Sequence, residues 1–188
     1  MFTGYSAEPL TRDVMWTALS WPAIEHLDLR ADRSSVVADA VVVALDGRPT
    51  RLGYRIVAAP DWTVRRLELR PHGEPDLVLE RRAGDRWYDG AGVERHELAG
   101  CVDVDIALTP FTNTLPIRRV GLAAGDSADL RMVYVQVEHG LDVIAVDQYY
   151  MRLGADTYRY RSGDFTADLT VDVDGLVIDY PGLWRRLV

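Results

Sequence analysis

The fold is decided by FTADLTVDVDGLVIDY, residues Phe165–Tyr180. Apolar and polar residues alternate through Phe165–Val173, which is the pattern of a β-strand with one face toward a core. Asp174-Gly175 then predicts a hairpin turn, because both residues tolerate a positive φ. The chain returns as a second strand over Leu176–Tyr180. This segment therefore predicts an antiparallel hairpin.

The same alternation recurs along most of the chain and predicts about ten further strands. They are Val14–Leu19, Ala23–Arg30, Val36–Leu45, Thr50–Ala58, Thr63–Arg70, Asp76–Arg82, Val102–Ala107, Leu130–Glu138, Leu141–Leu153 and Thr157–Arg161. Glycines punctuate them at short intervals, and the only convincing helical stretches are short ones near the two ends. The pattern predicts one all-β domain over residues 1–188, with minor α content, built on a single meandering antiparallel sheet that is closed or strongly curved.

Composition excludes several classes of function. The chain has 188 residues and a net charge of -8 at pH 7, so nucleic acid and anionic membrane surfaces are not expected partners. All 21 basic residues other than histidine are arginine. The absence of lysine excludes Schiff-base chemistry, pyridoxal phosphate attachment and the phosphate-binding loop, each of which needs a lysine amine.

The remaining composition predicts a soluble cytoplasmic protein without a cofactor or a metal. There is one cysteine, Cys101, so neither an internal disulfide nor a zinc site built from several thiolates can form. The start of the sequence, MFTGYSAEPLTRD, lacks the pattern of an export signal, and no apolar run is long enough to span a bilayer. The four histidines are scattered and no common enzyme motif occurs, so no catalytic residue is predicted. The oligomeric state does not follow from the sequence.

Two strands have apolar residues on both faces. Val36–Leu45 is apolar throughout except at Asp39, and Leu141–Leu153 places Ile144 and Val146 on the face that also carries Gln148. A strand of this kind needs a cover on each side. The cover is either a helix or second sheet layer, or a ligand held in an apolar cavity of a curved sheet.

Three acids are candidates for chemistry. Asp103 and Asp105 share one face of a strand, at a spacing close to the roughly 6.5–9.5 Å of inverting glycosidases. The structural alternative is an acidic strand face that meets solvent or arginines. Glu25 shares its face with apolar residues, and it is either a general acid with a raised pKa or the partner of an inward arginine.

Two further segments have alternative interpretations. Thr109–Pro116 is predicted to be a rigid loop, because prolines at both ends restrict the backbone; its polar side chains suit either sugar recognition or turn capping. In the doublet Arg65-Arg66, alternation places Arg65 on the face of Leu67 and Leu69, where it needs an acid or an anion. Ion pairing is the favoured explanation, because acids outnumber arginines by 29 to 21.

Three motifs together resemble one protein family. They are GCVDVDIALTPFTNTLPIRR (Gly100–Arg119), the Gln148–Tyr150 strand with Tyr158–Tyr160, and VDVDGLVIDYPGLWRR (Val171–Arg186). Residues Trp16, Glu25, Tyr54 and Asp61-Trp62 are similar to the N-terminal half of the same family. The family is that of the putative glycolipid-binding proteins, first catalogued as a domain of unknown function.

The resemblance implies a bacterial protein with a partly open β-barrel and one or two short helices, similar to the carriers that shuttle lipoproteins between membranes. It implies non-enzymatic binding of an amphiphile, a glycolipid or another acyl-bearing lipid, in the concave face of a half-barrel. With Glu25 and Trp62 added, the expected ligand-binding residues are Asp103, Asp105, Thr109, Asn113, Arg118, Gln148, Tyr150, Tyr180, Glu25 and Trp62. The alternatives are a hydrolase of glycosides or esters that uses Asp103, Asp105 and Glu25, and a structural or partner-binding domain.

Overall fold

The computed structural model describes residues 9–137 and 140–188, and in these residues the chain forms fourteen strands and one short α-helix. The strands are β1 (Leu10–Ala18), β2 (Ala23–Ala31), β3 (Val36–Asp46), β4 (Arg48–Ala58), β5 (Val64–Pro71), β6 (Leu77–Arg82), β7 (Arg86–Asp89), β8 (Asp103–Ile106), β9 (Ser127–Gln136), β10 (Asp142–Arg152), β11 (Thr157–Ser162), β12 (Phe165–Val171), β13 (Val177–Tyr180) and β14 (Trp184–Arg186). The helix is α1 (Thr114–Val120). Residues 1–8, on which the prediction about an export signal partly rests, and the predicted strand end at Glu138 lie outside the described residues.

All fourteen strands belong to one sheet, in the order β7-β6-β5-β4-β3-β2-β1-β14-β13-β12-β11-β10-β9-β8. Neighbours are antiparallel except for β8 and β9, which are parallel. The sheet is not closed into a barrel, since β7 and β8 stand at its two edges. The predicted all-β class with a single curved sheet is confirmed. Alternation missed β7 and β14, because each has only three or four residues.

The antiparallel order places alternate turns at opposite ends of the sheet. One end, called the mouth end, carries the turns β1–β2, β3–β4, β5–β6, β9–β10, β11–β12 and β13–β14. The other, called the closed end, carries the turns β2–β3, β4–β5, β6–β7, β10–β11 and β12–β13. Because β8 is parallel to β9, it also runs toward the mouth end, and the chain that follows it must turn back.

The segment after β8 turns back inside the curve of the sheet. A short 3₁₀ helix, Phe111–Asn113, leads into α1, which ends at Gly121 in the left-handed conformation. The prediction of a rigid loop over Thr109–Pro116 is therefore wrong, and within residues 9–137 and 140–188 no α-helix lies near either chain end, contrary to the prediction. Pro116 is compatible with α1 because it lies in the first turn, where backbone N–H groups have no partner within the helix.

Side chains of this segment hold the two halves of the sheet together. The ring of Phe111 stacks on that of Tyr54 with centroids 6.3 Å apart. At the closed end, the Arg118 guanidinium lies 5.0 Å from the ring centre of Trp62, which is buried in the β4–β5 turn at a positive φ of 69°. The inward face of the sheet is thus partly filled by the protein's own helix. Within the described residues, no helix has both the length and the apolar character needed to cross a membrane.

Gly175, in the β12–β13 turn, allows this turn to approach α1. It has a φ of 78°, and a Cβ built there would lie 3.2 Å from Cδ of Arg118 and 3.3 Å from Cγ2 of Ile117. Gly175→Ala is expected to lower the free energy of unfolding by about 2–3 kcal/mol, because the left-handed backbone and the crowding both cost energy. Gly182→Ala is the control, since Gly182 has a φ of 76° with nothing within 4 Å of the added Cβ. Urea unfolding should show about 1 kcal/mol for the control; equal losses would contradict the role of the contact with α1.

Two strands differ from what the alternation of apolar and polar residues predicts. A bulge in β5 places Arg66 opposite Val57 and Val64 opposite Ala58, so Arg65 is an extra residue and is exposed. Arg65 therefore does not share the face of the buried leucines, and it is Arg66 that forms ion pairs, with Glu68 and Glu80. The outward face of β3 is also not covered throughout, since Val43 is 50% exposed.

Candidate functional site

A cavity of about 610 Å³ lies between the two halves of the sheet at the mouth end. Five of the six mouth-end turns, all except β5–β6, or their flanking strand ends contribute to it, together with the chain that follows β8. Its lining comprises Trp21, Ala44, Thr50, Asp105, Ile106, Ala107, Leu108, Thr109, Asn113, Tyr134, Gln136, Val137, Ile144, Val146, Tyr160, Ser162, Phe165, Tyr180, Leu183 and Trp184. Of the predicted site residues, Asp105, Thr109, Asn113 and Tyr180 line this cavity.

Asp105 is held in one orientation by neighbours from three elements. Its Oδ1 accepts a hydrogen bond from Thr112 Oγ1 at 2.8 Å, and its Oδ2 accepts one from Gln148 Nε2 at 2.7 Å. The hydroxyl of Tyr160 lies 3.5 Å from Oδ2. Burial raises the pKa of Asp105 above its usual value, although the hydrogen bonds from Gln148 and Thr112 lower it. Gln148, a predicted site residue, thus acts on the cavity through Asp105.

Asn113 is fixed in the same way. Its Oδ1 accepts a hydrogen bond from the Tyr150 hydroxyl at 2.8 Å, and its Nδ2 donates to the carbonyl of Pro110 at 3.3 Å. Tyr150, another predicted site residue, is 3% exposed and therefore positions Asn113. Thr112 and Thr114 are fully buried within the segment, so of the polar residues in Thr109–Pro116 only Thr109 and Asn113 reach the cavity.

Glu25 lies behind Thr109 and is fully buried. Its Oε1 accepts hydrogen bonds from the Tyr54 hydroxyl at 2.5 Å and from Thr109 Oγ1 at 2.7 Å. Burial raises the pKa of Glu25 to about 8, although both hydrogen bonds lower it. Of the two alternatives for Glu25, the pairing with an inward arginine is wrong, because two hydroxyl groups take that place.

Besides Gln148, Tyr150 and Glu25, three more predicted site residues lie outside the cavity lining. Asp103 is fully buried. Its Oδ1 accepts a hydrogen bond from Arg119 Nε at 2.9 Å, and its Oδ2 accepts one from Arg119 Nη2 at 2.5 Å. The structure thus places the Asp103 carboxylate against an arginine, and not in solvent. Arg118 and Trp62 form the stacked pair at the closed end already described. These residues join α1 to the sheet.

Aromatic rings form two walls of the cavity. Tyr160, Phe165 and Tyr180 lie together, with all three pairs of ring centres 6.1–6.3 Å apart. On another wall, Trp21 and Trp184 meet edge to face at 5.6 Å. Aromatic rings provide large apolar surfaces, and those of tyrosine and tryptophan also carry a polar group.

Tyr134 and Gln136 line the cavity from β9 and are not among the site residues predicted from the sequence. The available signal was the alternation in this strand, which separates them from the buried Val133 and Val135. The strand register places Tyr134 in the cavity lining, since it pairs with both Asp105 on β8 and Ile144 on β10. No local pattern could show that pairing, because β8 and β9 are far apart along the chain.

The fold and the cavity define a class of protein: an open, curved β-sheet that encloses one short helix and a cavity of mixed polarity. The chain belongs to the family described as putative glycolipid-binding, whose model matches residues 13–186. This confirms the resemblance found in the motifs.

A solved structure has the same fold. It is the crystal structure of a DUF1089 family protein from Pseudomonas aeruginosa, with a TM-score of 0.79 and 35% sequence identity, covering 100% of this chain and 98% of that one. No curated protein matches this chain.

Proposed function

We propose that this protein binds an amphiphile of the glycolipid type, or another acyl-bearing lipid, in the mouth-end cavity and does not transform it. The observation that carries the proposal is the cavity itself. Its volume of about 610 Å³ lies in the usual range for small-molecule sites, and α1 leaves this space open while it fills the closed end. The family description supports a ligand of this type. The proposed setting is the cytoplasm.

The arrangement of the carboxylates supports binding over hydrolysis. A carboxylate-dependent hydrolase needs two acids that face one cleft. Among the described residues that line the cavity, Asp105 is the one acid, because Asp103 is paired with Arg119 and Glu25 lies behind Thr109. The polar lining groups suit orientation of a ligand, as a few placed polar groups do in apolar pockets.

The first test is native mass spectrometry of freshly purified protein, with lipid analysis of its organic extract. We expect a defined adduct of several hundred daltons, as an order of magnitude for a ligand that fills such a cavity. If the protein carries no adduct and added alkyl glycosides do not bind in calorimetry, the proposed function is wrong.

A matched pair of variants on β10 locates the ligand. Val146→Trp adds bulk to the cavity lining and is expected to abolish the adduct, because the indole occupies the ligand's space. Asp147→Trp is the control, since the neighbouring side chain points to the opposite face and is 78% exposed. Thermal unfolding should show that both variants fold. An adduct retained in full by Val146→Trp would place the ligand elsewhere.

A further inference from the structure

In this cavity polar side chains are buried and large apolar side chains are exposed. The large apolar side chains Phe165 and Ile144 are 42% and 37% exposed, whereas the polar side chains of Thr109 and Asn113 are each 5% exposed. Proteins more often bury apolar groups and expose polar ones. We call Asp105, Thr109 and Asn113 the floor of the cavity, and Trp21, Ile144, Phe165 and Leu183 its mouth.

The floor and the mouth have different structural origins. The floor lies against the buried helical segment, which supplies Asn113 and is hydrogen-bonded to Asp105 through Thr112. The mouth is formed by turns and strand ends at the mouth end. The same end exposes further apolar side chains, namely Leu19 (42%), Ile24 (39%), Val43 (50%) and Leu45 (50%). Ile24, Val43 and Leu45 alternate with the buried Glu25, Val42 and Ala44, so they lie on the outward face of the sheet at this end.

The floor also carries one ionisable side chain. Among the described lining residues this is Asp105, and no arginine or histidine lines the cavity with it. Its Oδ1 accepts one hydrogen bond, from Thr112, and is able to accept another, whereas its Oδ2 already accepts a short bond from Gln148 and a long one from the Tyr160 hydroxyl. A ligand hydroxyl can donate to this carboxylate. A phosphate or sulfate would be repelled by it and would find no cation nearby.

We propose that the ligand enters with its polar end first: a hydroxyl-bearing head without negative charge lies on the floor against Asp105 and Asn113, and the alkyl chain leaves through the mouth past Ile144 and Phe165. This inference rests on the proposed function and adds to it the class of head group and the orientation. In the opposite orientation the chain would lie against the polar floor and the head against the exposed phenyl ring.

Three amphiphiles with the same eight-carbon chain test the proposal. Octyl glucoside has one uncharged sugar, 1,8-octanediyl bis-glucoside has a sugar at each end, and octyl phosphate has an anionic head. We expect the two glucosides to bind within about threefold of each other in calorimetry below the micellar concentration, because the second sugar stays in solvent. Octyl phosphate is expected to bind at least about tenfold more weakly.

Asp105→Asn identifies the residue responsible for the selectivity. The amide keeps the shape and removes the charge, so the gap between octyl glucoside and octyl phosphate should shrink by about tenfold. Asp147→Asn, at an exposed position on β10, should leave the gap unchanged. Thermal unfolding of both variants shows whether each remains folded.

The outcomes separate this proposal from the proposed function. If octyl glucoside binds and the bis-glucoside does not, the chain is the buried end and the proposed orientation is wrong. If octyl phosphate binds as well as octyl glucoside, or if Asp105→Asn leaves the gap unchanged, the proposed head group is wrong. In each of these cases the proposed function stands. If none of the three compounds binds, the result contradicts the proposed function itself, and with it the orientation and head group that rest on it.

Discussion

Glu25→Gln is expected to remove a steep dependence of stability on pH. Burial raises the pKa of Glu25 to about 8 in the folded protein, from an ordinary value of 4.5. Between these two values the folded chain holds a proton that the unfolded chain does not, so unfolding releases a proton and stability falls as pH rises. The contribution is fully present below pH 4.5 and is lost by about pH 8, at about 1.4 kcal/mol per pH unit and about 5 kcal/mol in total.

The measurement is the free energy of unfolding in urea at several pH values from 5 to 9, for the wild type and for Glu25→Gln. Other buried acids contribute to the wild-type slope, so the informative quantity is the difference between the two proteins. This difference should change in favour of the glutamine variant by about 1.4 kcal/mol per pH unit up to about pH 8. Glu97→Gln is the control, because its carboxylate is 51% exposed. A difference for Glu25→Gln that is as flat as that of the control would mean that Glu25 is ionised in the folded protein.

Asp103→Asn is expected to lower the free energy of unfolding by about 3 kcal/mol, because it leaves the Arg119 guanidinium without its counter-charge. The Asp103 side chain is 0% exposed and that of Arg119 is 21% exposed, so water compensates little. The pair joins α1 to β8, and its loss also loosens the helix against the sheet.

Asp168→Asn is the matched control for this prediction. Asp168 also forms a two-pronged pair with an arginine, at 2.8 and 2.9 Å from Arg159, but the two side chains are 42% and 43% exposed. Solvent screens such a pair, and we expect a loss below about 1 kcal/mol. Urea unfolding of both variants measures the difference. Equal losses would show that burial does not decide the strength of the Asp103–Arg119 pair.

The sequence by itself determined most of the strands and, outside the bulge in β5, which way their side chains point, because the two-residue period is a local property of an extended chain. Alternation correctly placed Glu25 on the inward face with Leu27 and Leu29. It also placed Ile144 and Val146 on the face of Gln148 that meets the cavity. The long motif from Gly100 to Arg119 identified the family, and part of it forms the floor of the cavity.

Only the tertiary structure decided what those faces meet. The partners of Glu25 are 29 and 84 residues away along the chain, and no spacing rule shows that they are hydroxyl groups and not arginines. The segment Thr109–Pro116 becomes helical because the curved sheet encloses it and buries its apolar side chains, which outweighs the loop preference of its prolines. The cavity exists for the same reason: alternation reports that a face is buried, whereas the curvature of the sheet and the position of α1 determine whether protein or open space lies against it.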